Sequence, residues 1–455
     1  MNISALIEKY NVPGPRYTSY PTVPYWDPAT FTTAAWLETL ARCFAQSNAG
    51  DGISVYIHLP FCSSLCTFCG CTKRITRKHE VEEPYVEALL KEWRHYCEVF
   101  GTTPRIREIH LGGGTPTFFS PANLRVLIEG LLERADPHPA YEWGFEAHPN
   151  STSEEHLDVL RELGFTRLSL GVQDFDPEVQ QAIHRIQPYE TVVQVTAQAR
   201  ALGYNSINYD LVFGLPRQKL AAVRDTVGRV IGLRPDRIAF YSYAHVPWIR
   251  GLGQRGFSEA DLPKDAEKRE LYETGRAMLE AAGYREIGMD HFALASDSLC
   301  QAAERGELHR NFMGYTRATT RLMIGLGMSA IGDTWYGFAQ NEKKVEDYER
   351  RVMAGEWPVF RGHILDPEDL LLRRHILDLM CRLHTEWNDE QAADPVLAAA
   401  LGRLDEVVAD GFVVRGDRSV SVTEPGRAFL RNICMAFDAR LWRHVPETRL
   451  FSQTI

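Results

Sequence analysis

No stretch of this chain is apolar for long enough to cross a membrane. Leu322–Gly332 is among the longest such runs and falls well short of the roughly 20 residues a spanning helix needs. The start, Met1-Asn2-Ile3-Ser4, has neither the basic opening nor the apolar core of an export signal, which predicts a cytoplasmic protein. A P-loop, an H-E-x-x-H zinc motif and a legible Ser–His–Asp set are all missing. So is an excess of basic charge. Fifty Lys and Arg against sixty Asp and Glu leave a net charge of −10, which argues against general nucleic-acid binding. An anionic substrate would therefore need a locally basic pocket. Cysteine is scarce and odd in number, nine in 455 residues, which does not suit a disulfide framework and fits a reducing compartment.

Four of those nine cysteines fall within ten residues, Cys62-Ser63-Ser64-Leu65-Cys66-Thr67-Phe68-Cys69-Gly70-Cys71. Clustered thiolates bind zinc or iron–sulfur clusters. Three thiolates on one short loop can hold three irons of a cubane and leave the fourth open to a small molecule. The alternative is a structural zinc site with four thiolates. Such sites usually pair two knuckles across a longer stretch, and no distant C-x2-C pair is present. The alternating, β-branched run Ile53–Leu59 precedes the loop and predicts a strand. The cysteines then sit past the C-terminal end of a strand, where parallel α/β folds carry their sites.

Strand-like runs recur at 53–59, 106–111, 142–147, 166–172, 206–213 and 237–244. Helical stretches lie between and after them at 84–99, 121–134, 153–163, 189–202, 219–232 and 265–282. Six such units predict a parallel sheet with outer helices, more in keeping with a partial or closed barrel than with a doubly wound sheet. A further strand is expected at Tyr284–Met289, then loops and helix to about 340. From 360 the pattern becomes helical at 367–384 and 395–410. A hairpin at Phe412–Arg415 and Ser419–Val422 follows, then a last helix at 425–443, resembling a small winged-helix-like domain. The expected organisation is an N-terminal arm at 1–50, a barrel with its extension at 51–345 and a C-terminal domain at 360–455. Four prolines between Pro13 and Pro24 disfavour regular structure in much of the arm. The arm either wraps the surface or closes over the site with Arg16 and its tyrosines facing a ligand.

Gly112-Gly113-Gly114 ends the second strand, either as a tight turn or as backbone that a polar ligand can approach closely. Polar residues interrupt the apolar strands at one end: Glu146, Gln173, Asp210 and His245 after Ala244. Any one of them could be structural, but their recurrence points to a shared pocket mouth. His58, His110, His148, His245 and His291 flank the same ends, suggesting proton handling. Gly325–Ala330 spells G-x-G-x-x-A without a clean strand–helix context, so dinucleotide binding is not expected there.

The run Tyr56-x-His58-x-Pro60-Phe61-Cys62-x3-Cys66-x-Phe68-Cys69 resembles the signature of the radical S-adenosylmethionine (SAM) superfamily. Other segments bring the resemblance to one family within it, the oxygen-independent coproporphyrinogen III oxidases. They are Cys71, Gly112–Thr117, Gly171–Phe175, His309–Phe312, the opening Gly14–Thr22 and the closing Arg431–Met435. The resemblance spans almost the whole chain. It implies an α/β fold: a partial (β/α)6 barrel of the radical-SAM type, with an N-terminal arm and a small, mostly helical C-terminal domain.

It also implies a [4Fe–4S] cluster on Cys62, Cys66 and Cys69, and two SAM molecules. Tyr56, Gly112, Glu146 and Ile331 would contact the SAM on the cluster. Phe68, Gly113, Gly114, Thr115, Gln173, Arg185, Asp210 and Ala244 would surround the second. Cys71 would serve catalysis, with Tyr56, without ligating iron, and it separates this branch from the heme chaperones. The implied reaction turns two propionates of coproporphyrinogen III into vinyl groups through a 5′-deoxyadenosyl radical. The alternatives are a radical-SAM heme chaperone or another radical SAM enzyme acting on a tetrapyrrole. A monomer is expected, reduced by a flavodoxin or ferredoxin system. Arg16, Arg310 and Arg317 are candidate partners for substrate carboxylates. Three segments depart from the usual family pattern: Ala147–Asn150, Met313 and Arg317–Thr320.

Overall fold

The computed structural model describes residues 3–248, 253, 254, 256–444, 446 and 450–454. Six strand–helix units follow one another: β1 Ile53–Leu59, α1 Glu82–Phe100, β2 Arg105–Gly113, α2 Pro121–Leu132, β3 Asp136–Ala147, α3 Glu154–Glu162, β4 Arg167–Gln173, α4 Tyr189–Ala201, β5 Ser206–Phe213, α5 Leu220–Leu233, β6 Arg237–Ser242 and α6 Asp265–Ala281. Local chemistry sets the boundaries. Ser120 accepts from the Asn123 amide, with Pro121 opening α2. Gly101 closes α1 in the left-handed region at φ 65°.

Each strand pairs in parallel with the next, β1 to β6 in order. On β4 the apolar Leu168, Leu170 and Val172 are buried, whereas Arg167, Ser169, Gly171 and Gln173 are half-buried. Alternation therefore gives two faces, one packed on helices and one polar and turned inward. His110 of β2 and Tyr241 of β6 line one cavity, so the sheet curls round it as a partial barrel. The first face packs a large apolar cluster that includes Val55, Ile57, Ile109, Phe145, Leu170 and Ile207.

The region expected as loops and helix up to 340 is largely sheet. Met323–Leu326 pairs in parallel with β1 on the side away from β2, Ile57 opposite Leu326. Three antiparallel strands, 331–333, 337–341 and 359–364, extend that edge. At the other edge His291–Leu294 runs antiparallel to β6 and the expected strand Tyr284–Gly288 runs antiparallel to His291–Leu294, giving twelve strands in all. Apart from Tyr284–Gly288, which the sequence predicted, these pieces are three to six residues long, too short to print a period on the sequence.

Past Pro367 a second apolar cluster forms around Leu372, Ile376, Leu379, Phe412 and Ile433. The expected hairpin is present at Val413–Arg415 and Ser419–Val422. The single helix expected over 425–443 is instead three short pieces, broken where Asp438 turns its side chain to cap Leu441. In the arm Tyr10, Tyr17 and Tyr20 are buried in this cluster, so these tyrosines are packing groups. The segment also carries an unforeseen helix, Thr33–Ser47, capped by Thr32. No helix among the described residues is long and apolar enough to cross a membrane.

Candidate active site

The cysteine loop leaves β1 at Pro60 and is tied down on three sides. Phe61–Cys62 forms a short parallel ladder with Arg74–Ile75; the Arg74 amide donates to the Pro60 carbonyl at 2.8 Å and the Thr76 amide to Cys62 at 2.9 Å. The Gly114 and Thr115 amides donate to Leu59 and Phe61 at 2.9 and 3.1 Å. A Cβ on Gly114 would lie 2.4 Å from the Pro60 oxygen, so only glycine fits this approach. Thr67 bonds to the Ile183 and Ala182 carbonyls beyond β4. His58 reaches across: Nε2 donates to the Thr72 carbonyl at 2.9 Å, and Nδ1 accepts from the Tyr56 hydroxyl at 3.0 Å.

Cys62, Cys66, Cys69 and Cys71 all line a cavity of about 510 Å³ inside the barrel. Cys62 Sγ lies 3.3 Å from Thr115 Oγ1, and Arg185 Nη1 donates to Cys66 Sγ at 3.8 Å. The Cys71 amide donates to Cys69 Sγ at 3.4 Å. A hydrogen bond with the Cys71 side chain pulls the Cys69 thiol down to about 6, against burial and with help from Lys73 and the Cys71 amide. The same bond and the Cys69 charge push the Cys71 thiol well up. Three separate thiols on a common wall, one beside Arg185, suit the separate irons of a cluster.

The inner strand faces supply the remaining walls. On β2 and β3, His110 Nε2 donates to Glu146 Oε1 at 3.2 Å, and the Tyr56 ring stacks on His110. Burial pushes the Glu146 carboxyl up, but the His110 bond and charge, the Gly113 amide and His58 together outweigh it and keep the group below its ordinary value. A Cβ on Gly112 would meet both Tyr56 and Glu146. On β5 Asp210 accepts from Asn208 and Ser169 at 2.9 and 3.1 Å, and burial with the Glu146 charge raises it to about 6. Gln173 sits at φ 66° at the β4 end. Arg185 Nη2 donates to the Gly171 carbonyl at 2.6 Å, while its buried Nε has no partner. That unspent donor suits a carboxylate. A sulfonium amino acid with a carboxylate, an amine and ribose hydroxyls thus finds a cation, acids and exposed backbone here. The residues present fit both the cluster and SAM.

Of the site residues expected from sequence, Phe68, Gly113, Gly114, Thr115, Glu146, Gln173, Arg185 and Asp210 line the cavity with the four cysteines. Tyr56 and Gly112 stand just behind its wall. Ala244 does not line it; its carbonyl accepts from Gln254, whose amide also donates to Phe68 and so ties the loop to the β6 end. Ile331 packs instead toward Trp26 and Phe338. Of the histidines, His148 and His291 are each held down to about 3, mainly by burial, and stay neutral. His245 contacts the Tyr243 hydroxyl outside the wall.

Two groups went unread. Lys73 donates to the Cys69 and Cys71 carbonyls. The floor holds Glu142 paired with Arg167 at 2.9 Å, Arg317 at 2.7 Å and Arg237 at 3.5 Å. The inward alternation 167, 169, 171, 173 and 237, 239, 241 was the available signal for that floor. Arg317 is thereby engaged, and Arg16 pairs with Asp290 at 3.3 Å. Arg310 alone of the three arginines has unpartnered buried donors, Nε and Nη1; its guanidinium lies 4.4 Å from the Tyr315 ring, which lines the cavity. Met313 also faces the cavity, placing a thioether on the substrate side.

The Radical SAM superfamily description matches residues 56–230. The oxygen-independent coproporphyrinogen III oxidase of Salmonella typhimurium is 38% identical over 456 residues, covering 99% of this chain and 98% of its own. The Escherichia coli enzyme of the same name is 38% identical with the same coverage. The solved structure of Escherichia coli coproporphyrinogen III oxidase (HemN), described as a radical SAM enzyme, superposes with a TM-score of 0.88 at 36% identity, covering 96% of this chain and 98% of that one. A loop of three cluster-type thiols at the mouth of a partial barrel, in a chain alike from end to end, places this protein in the oxygen-independent coproporphyrinogen III oxidase family of the radical SAM superfamily.

Proposed function

We propose that the chain converts two propionate side chains of coproporphyrinogen III to vinyl groups, giving protoporphyrinogen IX without oxygen. The observation that carries this is the thiol-lined cavity in a chain matching its relatives over 99% of its length. The [4Fe–4S] cluster and SAM, when bound, supply the 5′-deoxyadenosyl radical that removes a hydrogen atom from each propionate. Cys62, Cys66 and Cys69 hold the cluster, and the Gly112–Gly114 backbone with Glu146 seats the first SAM. Gln173, Arg185 and Asp210 give the same cavity a second cradle, which supports two SAM molecules. Tyr56, anchored by His58, keeps the Thr72 end of the loop in register. Cys71, unligated, lines the same cavity and serves catalysis there. Arg310 takes a substrate carboxylate, supported by its two unpartnered donors.

The free thiols support a cytoplasmic setting. Residues 1–50, 51–345 and 360–455 form the arm, the barrel with its extension and a C-terminal domain, supported by the second apolar cluster past 367. The test is anaerobic reconstitution, then incubation with coproporphyrinogen III, SAM and a reductant. Carbon dioxide and vinyl groups are expected. SAM cleavage without decarboxylation would reject the substrate.

A further inference from the structure

Between Asp51 and Glu80 the sequence has no acidic residue, in a chain of net charge −10. That stretch contains the whole cysteine loop and ends in four cations, Lys73, Arg74, Arg77 and Lys78. Arg74, Ile75, Arg77 and Lys78 are all exposed, Ile75 at 41%. Arg74 meets Glu346 at 2.7 Å across the surface; among the described residues neither Arg77 nor Lys78 has an acidic partner. The position of this strip matters more than its composition. Ile75 stands opposite Cys62 in the short ladder, and the Thr76 amide bonds to the Cys62 carbonyl at 2.9 Å. The exposed strip is therefore about one strand spacing, roughly 4.8 Å, from the backbone of a cluster ligand. An exposed apolar side chain beside two cations without acidic partners is the composition of a transient charged interface, not of an inert face.

We propose that the Arg74–Lys78 strip is the docking surface for a small, acidic, one-electron carrier protein that reduces the cluster. This rests on the function proposed above, which requires an electron from outside the chain. One electron leaves the reduced carrier and enters the cluster held by Cys62, Cys66 and Cys69; no bond forms or breaks and no proton is exchanged. Charge complementarity selects the partner, because a protein of net negative charge repels an acidic carrier everywhere except over a local cationic patch.

The test uses the full, reconstituted chain and an acidic flavodoxin as the probe. Arg77→Glu/Lys78→Glu reverses two exposed charges that touch neither the cluster nor the cavity. Binding of oxidised flavodoxin, and bleaching of the cluster absorbance by reduced flavodoxin, are followed at low and high ionic strength. Dithionite, a small reductant that needs no docking, is the parallel arm. The variant should bind flavodoxin and be reduced by it about tenfold or more weakly at low salt. The gap should close as salt screens the charges. Reduction by dithionite should match wild type.

Wild-type flavodoxin binding in the variant would overturn the proposal. So would an equal loss with dithionite, which would mean damage to the cluster loop itself. A cluster that even dithionite cannot reduce in wild type would instead fail the functional reading, and this proposal with it. A wild-type dimer that the same substitutions dissociate, or tighter binding of a short RNA than of flavodoxin, would give the strip to another partner and overturn it too.

Discussion

Gly113→Ala tests how the strand ends hold the cysteine loop. Gly113 lies at φ 112°, where an L side chain is strained, at a cost of about 1–3 kcal/mol. Its Cβ would also fall 2.8 Å from His58 Cε1 and Nδ1. That ring cannot swing away cheaply, because Tyr56 and the Thr72 carbonyl hold both nitrogens. Overpacking against a fixed ring adds roughly 1–3 kcal/mol. The total, about 2–6 kcal/mol, is less than the stability of many domains, so the chain should fold with its loop displaced. Because His58 connects β1 to Thr72, the displacement reaches the cysteines. A shift of about 1 Å at reacting groups lowers rates about 100-fold.

Urea denaturation of the cluster-free chain gives the stability term, and SAM cleavage after reconstitution gives the second. Gly228→Ala in α5, where a Cβ meets nothing within 4 Å, is the control and should stabilise by about 0.5–1 kcal/mol. Combining Gly113→Ala with His58→Ala should recover part of the loss, a coupling of about 1–3 kcal/mol. A coupling near zero, or wild-type SAM cleavage in Gly113→Ala, would refute the reasoning.

Three further outcomes are expected. Cys62→Ser, Cys66→Ser and Cys69→Ser should each abolish bound iron, whereas Cys71→Ser should keep it and lose decarboxylation; equal iron loss in all four would make Cys71 a ligand. Burial opposes the Glu142 charge, but Arg237, Arg167 and Arg317 outweigh it and hold the carboxyl at about 2 instead of 4.5. The stabilisation is full above 4.5, about 3 kcal/mol, and is lost as pH falls toward 2. Urea midpoints of Glu142→Gln should thus trail wild type at pH 7, by less at pH 3, and converge on it only near pH 2; a gap independent of pH would count against that cluster. Removing the Arg310 donors in Arg310→Gln should raise KM for the tetrapyrrole about tenfold or more, with SAM binding kept and part of the loss restored by Arg310→Lys. An unchanged KM would remove Arg310 from the substrate side.

The sequence alone determined the chemistry and the barrel. Four cysteines in ten residues set the kind of metal centre, because thiolate spacing on one loop is local information. Six strand–helix units were legible because each repeats a period of two and then of 3.6 over enough residues to register. Tertiary structure decided everything that needs distant residues to meet. Met323–Leu326 becomes the seventh parallel strand only because β1 offers it an edge. The break at Asp438 depends on a cap that competes with helix continuation. Arg16, Arg310 and Arg317 look alike in the sequence, and only packing shows that two are engaged while one keeps buried donors unspent. A side chain's chemistry is written in its own residue, but whether that chemistry is already satisfied depends on neighbours the fold brings from far along the chain.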